Sequence, residues 1–306
     1  MKNEERAGER GARGLRLGQS VGQGRPDILP VYAALPKLSA WLKRVRDYCQ
    51  DPPQDHIRAA DWLLDNDYQV ARAIRQVQEY LPPDYCRQLP ALDAPRGARF
   101  PRSYALAQTV YEALSPPLSL DGLVALITEF QTQTALTNAE LWAFPSMLRL
   151  ACLEALVAAF GELNNSLEVS TIAARHADSV PAAETTDRIA QALSNLVALQ
   201  TIKWEDFVDR VSLAEAALRG DPAGIYGEMT FEARNRYRTV LEHLAARTEA
   251  SETNIALAAI RLAQDATDDP IASHVGFWLV DNGVGNLEAA IGYRATLKER
   301  LRRALG

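Results

Sequence analysis

The 306-residue sequence is short of the residues that build metal and redox sites, with only three cysteines and four histidines. Cys49, Cys86 and Cys152 are an odd number without paired spacing, which predicts buried, reduced thiols in a reducing compartment rather than a disulfide framework. The histidines are scattered, with no ligand spacing such as His-Glu-x-x-His, so no metal site is predicted. We therefore expect this chain to bind no cofactor of its own.

Positive charge and long apolar runs are also scarce. The 33 Lys and Arg residues against 39 Asp and Glu residues give a net charge of -6, and nucleic-acid binding requires a basic surface, so no nucleic-acid partner is predicted. A membrane-spanning helix needs about 18 or more apolar residues, and even residues 148–160 are interrupted by Glu154. The first 25 residues contain no apolar signal core. A soluble, cytoplasmic chain is the expectation.

Helical spacing of apolar residues runs through most of the sequence. Leu38, Trp41, Leu42 and Val45 share one helical face, and similar stripes recur along the chain. The predicted fold is all-α, an irregular multi-helix bundle that can divide into two helical subdomains. The predicted division is a disordered tail at 1–27, a first helical subdomain at 28–163, a linker at 164–180, and a second helical subdomain at 181–306 that ends in a basic amphipathic helix.

Capping residues and breakers predict where individual helices begin and end. Thr137 with Glu140, and Ser212 with Glu215, have the spacing of capping boxes. Pro145 predicts a kink or the true start of its helix, and Gly161 predicts its end. The run 274–280 fits an extended segment or a short buried helix about equally. Helices are also predicted before residue 82. The predicted helices that follow are 102–114, 120–132, 138–160, 182–199, 203–219, 231–247, 252–266 and 287–305.

Two sets of acidic residues could suggest carbohydrate chemistry. Asp65-Asn66-Asp67 has the Asp-x-Asp form with which many glycosyltransferases hold a metal, but it lies in a helical pattern. Residues two apart on a helix point in different directions, so the pair cannot share one cation. Glycoside hydrolysis needs two facing carboxylates, for which Asp61 and Glu140 are conceivable members. A surface residue and a capping residue are the better interpretations of these two, so no catalytic residue is predicted.

The last segment carries the most distinctive surface pattern. Five basic residues and one acidic residue, Glu299, give a local charge of +4, interleaved with Leu297, Leu301 and Leu305 at helical spacing. Such a helix could contact anionic lipid headgroups or lead into a membrane span from the cytoplasmic side. An ordinary terminal helix whose cations favour its C-terminal dipole fits equally well. The candidate membrane-facing or partner-facing residues are Arg294, Lys298, Arg300, Arg302 and Arg303.

Several blocks of residues follow one another in a characteristic order. They are 62–66, 81–82 with 85–90, 101–104, 136–137 with 139–143, 147–150, 212–213, 221–238 and 274–281. Taken together, these blocks resemble the N-terminal region of the cyclic β-1,2-glucan synthase family across about residues 36–305, and the likeness is weakest around 164–185. Asp67 departs from the family pattern, which usually has an aromatic or neutral polar residue at that position.

The resemblance implies a specific role. Proteins of this family are large inner-membrane enzymes that make cyclic β-1,2-glucan from UDP-glucose and carry a C-terminal module resembling glycoside phosphorylases. Their transferase chemistry is expected downstream of this region, and no family catalytic residue maps onto this chain. The resemblance therefore implies a non-catalytic scaffold or regulatory region at the cytoplasmic face of the inner membrane, with the downstream membrane and glycosyltransferase domains of the same polypeptide as partners.

Two other functions remain open at this stage. One is an α-helical carbohydrate-active domain with an acid pair in a cleft between the subdomains. The other is a free-standing helical adaptor that binds another protein.

Overall fold

The computed structural model describes residues 30–93, 99–169 and 182–294. Within these ranges the chain is built almost wholly of helices, which confirms the predicted all-α class. Helices α1 to α6 are Pro30–Cys49, Ile57–Tyr80, Pro83–Cys86, Arg102–Ala113, Leu120–Gln131 and Asn138–Leu163. Helices α7 to α14 are Ala182–Thr201, Trp204–Val211, Leu213–Leu218, Ile225–Glu228, Phe231–Ala245, Glu252–Asp265, Val275–Val280 and Val284–Ala290.

A small sheet lies between α3 and α4, where the sequence analysis predicted neither a helix nor a strand. Strands β1 (Ala91–Asp93) and β2 (Arg99–Pro101) pair antiparallel, with Leu92 opposite Phe100. The amide of Arg102 continues the pairing by donating to the Pro90 carbonyl at 2.7 Å. Three residues per strand are too few to show an alternating apolar pattern, so this sheet could not be predicted from the sequence.

The described chain divides into two compact units. The first comprises the described residues within Met1–Thr134 and Trp142–Phe207, and the second comprises those within Ala135–Leu141 and Val208–Gly306. Helix α7, predicted to begin the second subdomain, belongs to the first unit because it packs along α2. The predicted tail at 1–27 and residues 170–180 of the predicted linker lie outside the described residues.

The first unit has an aromatic and aliphatic core. Helices α1, α2 and α7 pack together, and the fully buried ring of Trp41 meets Phe160 edge to face with centroids 6.3 Å apart. Phe144 and Phe207 stack with centroids 5.7 Å apart. Aromatic rings bury large apolar areas and prefer such geometries, so these pairs contribute strongly to the stability of this unit.

Helix α6 is a long and apolar helix. It passes the length and composition test for a membrane span, which the sequence prediction had rejected on account of Glu154. Residues 143–161 are all buried within the protein, as in a core helix. The buried Glu154 carboxylate accepts hydrogen bonds from Tyr104 Oη at 2.8 and 2.9 Å and from Gln108 Nε2. These partners compensate for the loss of water around the carboxylate.

The ends of α6 confirm one prediction and correct another. The Thr137 amide donates to Glu140 Oε2 at 2.9 Å, and the Glu140 amide donates to Thr137 Oγ1 at 3.2 Å, which is the predicted capping box. Pro145 lies inside the helix and does not mark its start. The predicted end at Gly161 is wrong, because α6 continues to Leu163.

The second unit packs its helices around one apolar cluster. Its fully buried members include Leu218 of α9, Ile255 of α12 and Val275 of α13. The predicted helix 203–219 is divided at Ser212, which caps α9 by accepting a hydrogen bond from the Glu215 amide. The run 274–280 forms the short helix α13. Gly292 has a positive φ of 68° just after α14.

Candidate functional site

Two fully buried carboxylates organise the polar interior of the second unit. The side chains of Glu215, on α9, and Asp221, on the turn before α10, are both 0% exposed. Each accepts several hydrogen bonds from groups distant in the sequence. A buried charge is stable only when it is paired and hydrogen-bonded, so these two residues are the natural centres of a candidate site.

Glu215 lies at the centre of an arginine cluster. Its carboxylate accepts from Tyr226 Oη at 2.7 Å, Arg238 Nη1 at 3.0 Å and Arg219 Nε at 3.1 Å. Arg234 Nε lies 3.1 Å from Glu215 Oε1, an ion-pair contact that lacks hydrogen-bond alignment.

Asp209, on α8, is the second acid of this cluster. It accepts from Arg238 Nη1 at 3.0 Å, from Arg219 Nη2 at 3.3 Å and from Arg234 Nη2. Three guanidinium groups therefore face two carboxylates. We call Asp209, Glu215, Arg219, Arg234 and Arg238 the arginine cluster.

Local helix geometry explains how the arginine cluster forms. Arg234 and Arg238 are four residues apart on α11, so both side chains project from the same face. The Arg238 guanidinium also lies 4.5 Å from the centre of the Phe231 ring, at the start of the same helix. Half of the predicted capping box at Ser212 is present, but the Glu215 carboxylate turns to the arginines instead of returning to the cap.

Asp221 connects two blocks that are 53 residues apart in sequence. Its Oδ2 lies 2.8 Å from His274 Nδ1, and its Oδ1 accepts from the Val275 amide at 2.8 Å. Oδ2 also accepts from the amides of Ile225 and Tyr226 at 3.1 and 3.0 Å. One carboxylate thus satisfies the amides at the starts of both α10 and α13, where helices leave backbone donors unpaired.

Two glycines lie in the segments that surround this carboxylate. Gly224 has a φ of 70°, the left-handed conformation that favours glycine, and it ends the turn between Asp221 and α10. A Cβ at Gly276 would lie 2.4 Å from Tyr237 Oη and 2.6 Å from His274 Nε2. Gly276 therefore leaves room for the Tyr237 and His274 side chains.

The polar groups of this network hydrogen-bond to one another. Both ring nitrogens of His274 are engaged, because Nδ1 faces Asp221 and Nε2 lies 3.3 Å from Tyr237 Oη. Burial raises the pKa of Tyr226 far above its usual value, and the hydrogen bond to Glu215 raises it further. Burial, and secondarily Asp221, raises the pKa of Tyr237. Both phenols therefore remain neutral hydrogen-bond donors.

The acids considered at the sequence level have other partners or face solvent. Asp65 is exposed on α2, and Asp67 forms an ion pair with Arg46. Glu140 is occupied by the cap of α6. Within the described residues, no group of three or more His, Cys, Asp or Glu side chains could hold a metal ion. The specific residues that suggested an acid pair thus have structural roles or lie free on the surface.

The three cysteines are free and buried, as predicted. Burial raises the pKa of Cys49 to about 12, so its thiol is protonated and unreactive. Of the five candidate basic residues, Arg294 is exposed, and Lys298, Arg300, Arg302 and Arg303 lie outside the described residues. Their role stays a prediction.

Sequence reasoning singled out 221–238 and 274–281 as blocks but did not foresee that they meet. The signal available was the Asp-Pro-Ala-Gly turn followed by arginines at helical spacing. The partner acid Asp209 gave no such signal, because an acid on an amphipathic helix is usually solvated, and the capping-box spacing assigned Glu215 to the cap at Ser212. Only the packing of α8, α9 and α11 reveals that these carboxylates are paired with the arginines.

Comparison with known proteins shows what the chain as a whole is similar to. No family model matches the chain. The chain is 26% identical, over 320 residues, to the cyclic beta-(1,2)-glucan synthase NdvB of Rhizobium meliloti (strain 1021). The match covers 81% of this chain but only 11% of that relative. This similarity supports the predicted relationship of the chain to the cyclic β-1,2-glucan synthase family.

Proposed function

We propose that the chain is a non-catalytic, helical scaffold or regulatory region of a cyclic β-1,2-glucan synthase-like membrane protein that makes β-1,2-glucan from UDP-glucose. The observation that carries this proposal is that the match covers the two proteins unequally. The match extends over 81% of this chain and over only 11% of NdvB. A region that small leaves ample room for transferase chemistry elsewhere in such a protein.

The site geometry supports a structural role for the second unit. The buried acids Glu215 and Asp221 use their carboxylates to hold arginines, a histidine and helix-starting amides. Groups arranged in this way fix the positions of α9, α10, α11 and α13. A unit with such internal cross-links suits a rigid module placed beside a partner domain, and we propose the membrane and glycosyltransferase domains of the same polypeptide as that partner.

The proposal predicts that the purified chain forms no glucan from UDP-glucose, while it can replace its counterpart in a synthase. The assay uses membranes containing NdvB with its matching region either deleted or exchanged for this chain, and it measures β-1,2-glucan made from labelled UDP-glucose. We expect synthesis to be lost on deletion and restored at least in part by the exchange. A helical domain of similar length and unrelated sequence is the control replacement.

Either of two results would contradict this function. Glucan formed by the purified chain alone would make the chain an enzyme. A well-expressed exchange protein that is no more active than the deletion would remove the scaffold role.

We further propose that Arg294, Lys298, Arg300, Arg302 and Arg303 bind anionic lipid headgroups at the cytoplasmic face of the membrane. Each basic residue near such a surface contributes about 1 kcal/mol, so neutralising all five with glutamine should reduce binding by well over tenfold. The measurement is flotation with phosphatidylglycerol liposomes, and phosphatidylcholine liposomes should bind neither protein.

The matched control removes five exposed arginines elsewhere. It carries glutamine at Arg44, Arg72, Arg75, Arg236 and Arg261, which are all exposed. The net charge is the same in both variants, so equal loss of flotation in both would show that only total charge matters and would reject a local lipid site.

A further inference from the structure

We infer that Asn138, Glu242 and Glu252 form a proton-binding switch in the second unit. The cluster holds one proton on its carboxylates, and loss of that proton weakens the attachment of residues 135–141 to α11 and α12. This inference is independent of the proposed function, since it concerns only the groups that meet at the first residue of α6.

The geometry places two acids on one asparagine. The Asn138 amide donates to Glu252 Oε2 at 2.7 Å, and Asn138 Nδ2 lies 3.4 Å from a Glu242 carboxylate oxygen. Asn138 is 4% exposed and Glu252 is 8% exposed. Glu252 lies in the first turn of α12 and Glu242 in the last turns of α11, so this contact joins three elements of the second unit.

A hydrogen-bond acceptor without a donor points to the proton. Asn138 Oδ1 is buried and has no hydrogen-bond partner among the described residues, although the same carboxamide donates to Glu242. An ionised carboxylate can only accept hydrogen bonds, whereas a protonated one also donates. A proton on either carboxylate therefore gives this cluster a hydrogen-bond donor that two ionised carboxylates do not have.

Electrostatics favours the same protonation state. The charged groups that act on Glu252 from the neighbouring elements are both acids, Glu242 on α11 and Glu140 on α6. Burial is the largest effect, and together with these two acids it raises the pKa of Glu252 to about 7, against the opposing effect of the Asn138 amide. The cluster therefore exchanges its proton in the range where cellular pH varies.

The raised pKa fixes the direction of the pH dependence. The usual pKa of 4.5 applies in the unfolded chain and about 7 in the folded unit. The folded unit therefore binds the proton more tightly, and its stability falls as the pH rises from about 4.5 to about 7 and then levels off. A shift of this size corresponds to a change in the opening equilibrium on the order of 10²-fold.

The test is hydrogen exchange of the whole 306-residue protein between pH 5 and pH 8.5, corrected for the intrinsic exchange rate. In the wild type, we expect protection of the amides in 138–144 and 252–256 to fall on the order of 10²-fold across this range. Glu252→Gln keeps an acceptor for the Asn138 amide but cannot ionise, so its protection should stay nearly constant and exceed that of the wild type at pH 8.5.

Glu249→Gln is the control, because Glu249 is an exposed acid three residues away; its profile should follow the wild type. Titration of the Glu252 carboxyl carbon by NMR provides a second measurement that needs no variant. A Glu252 midpoint near 4.5, or parallel exchange profiles in wild type and Glu252→Gln, would overturn the proposal. Glu242→Gln should also flatten the profile if the proton is shared.

Discussion

Glu215→Gln is expected to lower the free energy of unfolding of the second unit by about 3–5 kcal/mol, the range found when one partner of a buried ion pair is removed. The substitution keeps the shape of the side chain and removes one negative charge. Three arginines would then face the single carboxylate of Asp209. Arg238 is 1% exposed, so water cannot replace the lost partner.

The measurement is denaturant-dependent hydrogen exchange of α9 and α11, which reports on this unit apart from the first. Glu232→Gln removes the same charge from an exposed position on α11 and should change the free energy of unfolding by less than about 0.5 kcal/mol. Equal stability of the two variants would mean that the arginine cluster contributes nothing specific.

A double-mutant cycle separates the ion pair from the loss of a buried charge. Arg238→Gln alone should also be strongly destabilising, because Glu215 and Asp209 would lose a shared donor. If Glu215 and Arg238 interact directly, the double variant should be less destabilised than the sum of the single variants, by about 1–3 kcal/mol. Simple additivity would contradict the contact.

Asp221→Ala is the second variant with a large expected effect, about 3–5 kcal/mol of lost unfolding free energy. The carboxylate accepts from three backbone amides and faces His274 Nδ1. Each buried donor left without an acceptor costs about 1–3 kcal/mol, and water can reach only part of this site. Asp221→Asn keeps one acceptor oxygen, so its stability should lie between that of the wild type and that of Asp221→Ala.

Hydrogen exchange of the Val275 amide provides the local readout, because this amide donates directly to Asp221. Asp268→Ala is the control, as Asp268 is exposed and should change the free energy of unfolding by no more than about 0.5 kcal/mol. Unchanged protection of Val275 in Asp221→Ala would show that Asp221 does not connect the two blocks.

The two buried acids suggest why blocks 221–238 and 274–281 have such a specific residue order. Asp221 needs the Gly224 turn beside it and the His274 ring opposite it. The Arg238 guanidinium lies over the Phe231 ring and donates to Glu215. Several residues in these blocks are thus constrained by partners distant in sequence, which is more than helix propensity requires.

The helices themselves were predictable in type and approximate place. The stripe through Trp41 and Val45 predicted α1, and the Thr137–Glu140 spacing predicted the start of α6 to the residue. These signals are local, because apolar periodicity and capping bonds involve residues within a few positions of one another. The capping-box spacing of Ser212 and Glu215 also indicates a helix start at Ser212. The sequence analysis nevertheless predicted one continuous helix over 203–219.

The candidate site was not predictable to the same degree. Asp209 and the arginines have the pattern of the solvated face of an ordinary amphipathic helix, and the capping-box spacing assigned Glu215 to the cap at Ser212. Their burial depends on contacts between α8, α9, α11 and α12, which carry no signature in any single segment. A buried ion pair is recognisable only when both partners have been placed.

The sequence by itself determined the all-α class, the main capping boxes, the reduced cysteines and the likeness to a glucan synthase region, because each depends on short-range pattern or on residue order. Tertiary structure alone decided which charges are buried, that Asp221 meets His274, that α7 joins the first unit, and that α6 is enclosed rather than exposed. Those outcomes depend on desolvation and on pairing across long sequence separations, and a linear pattern does not record either.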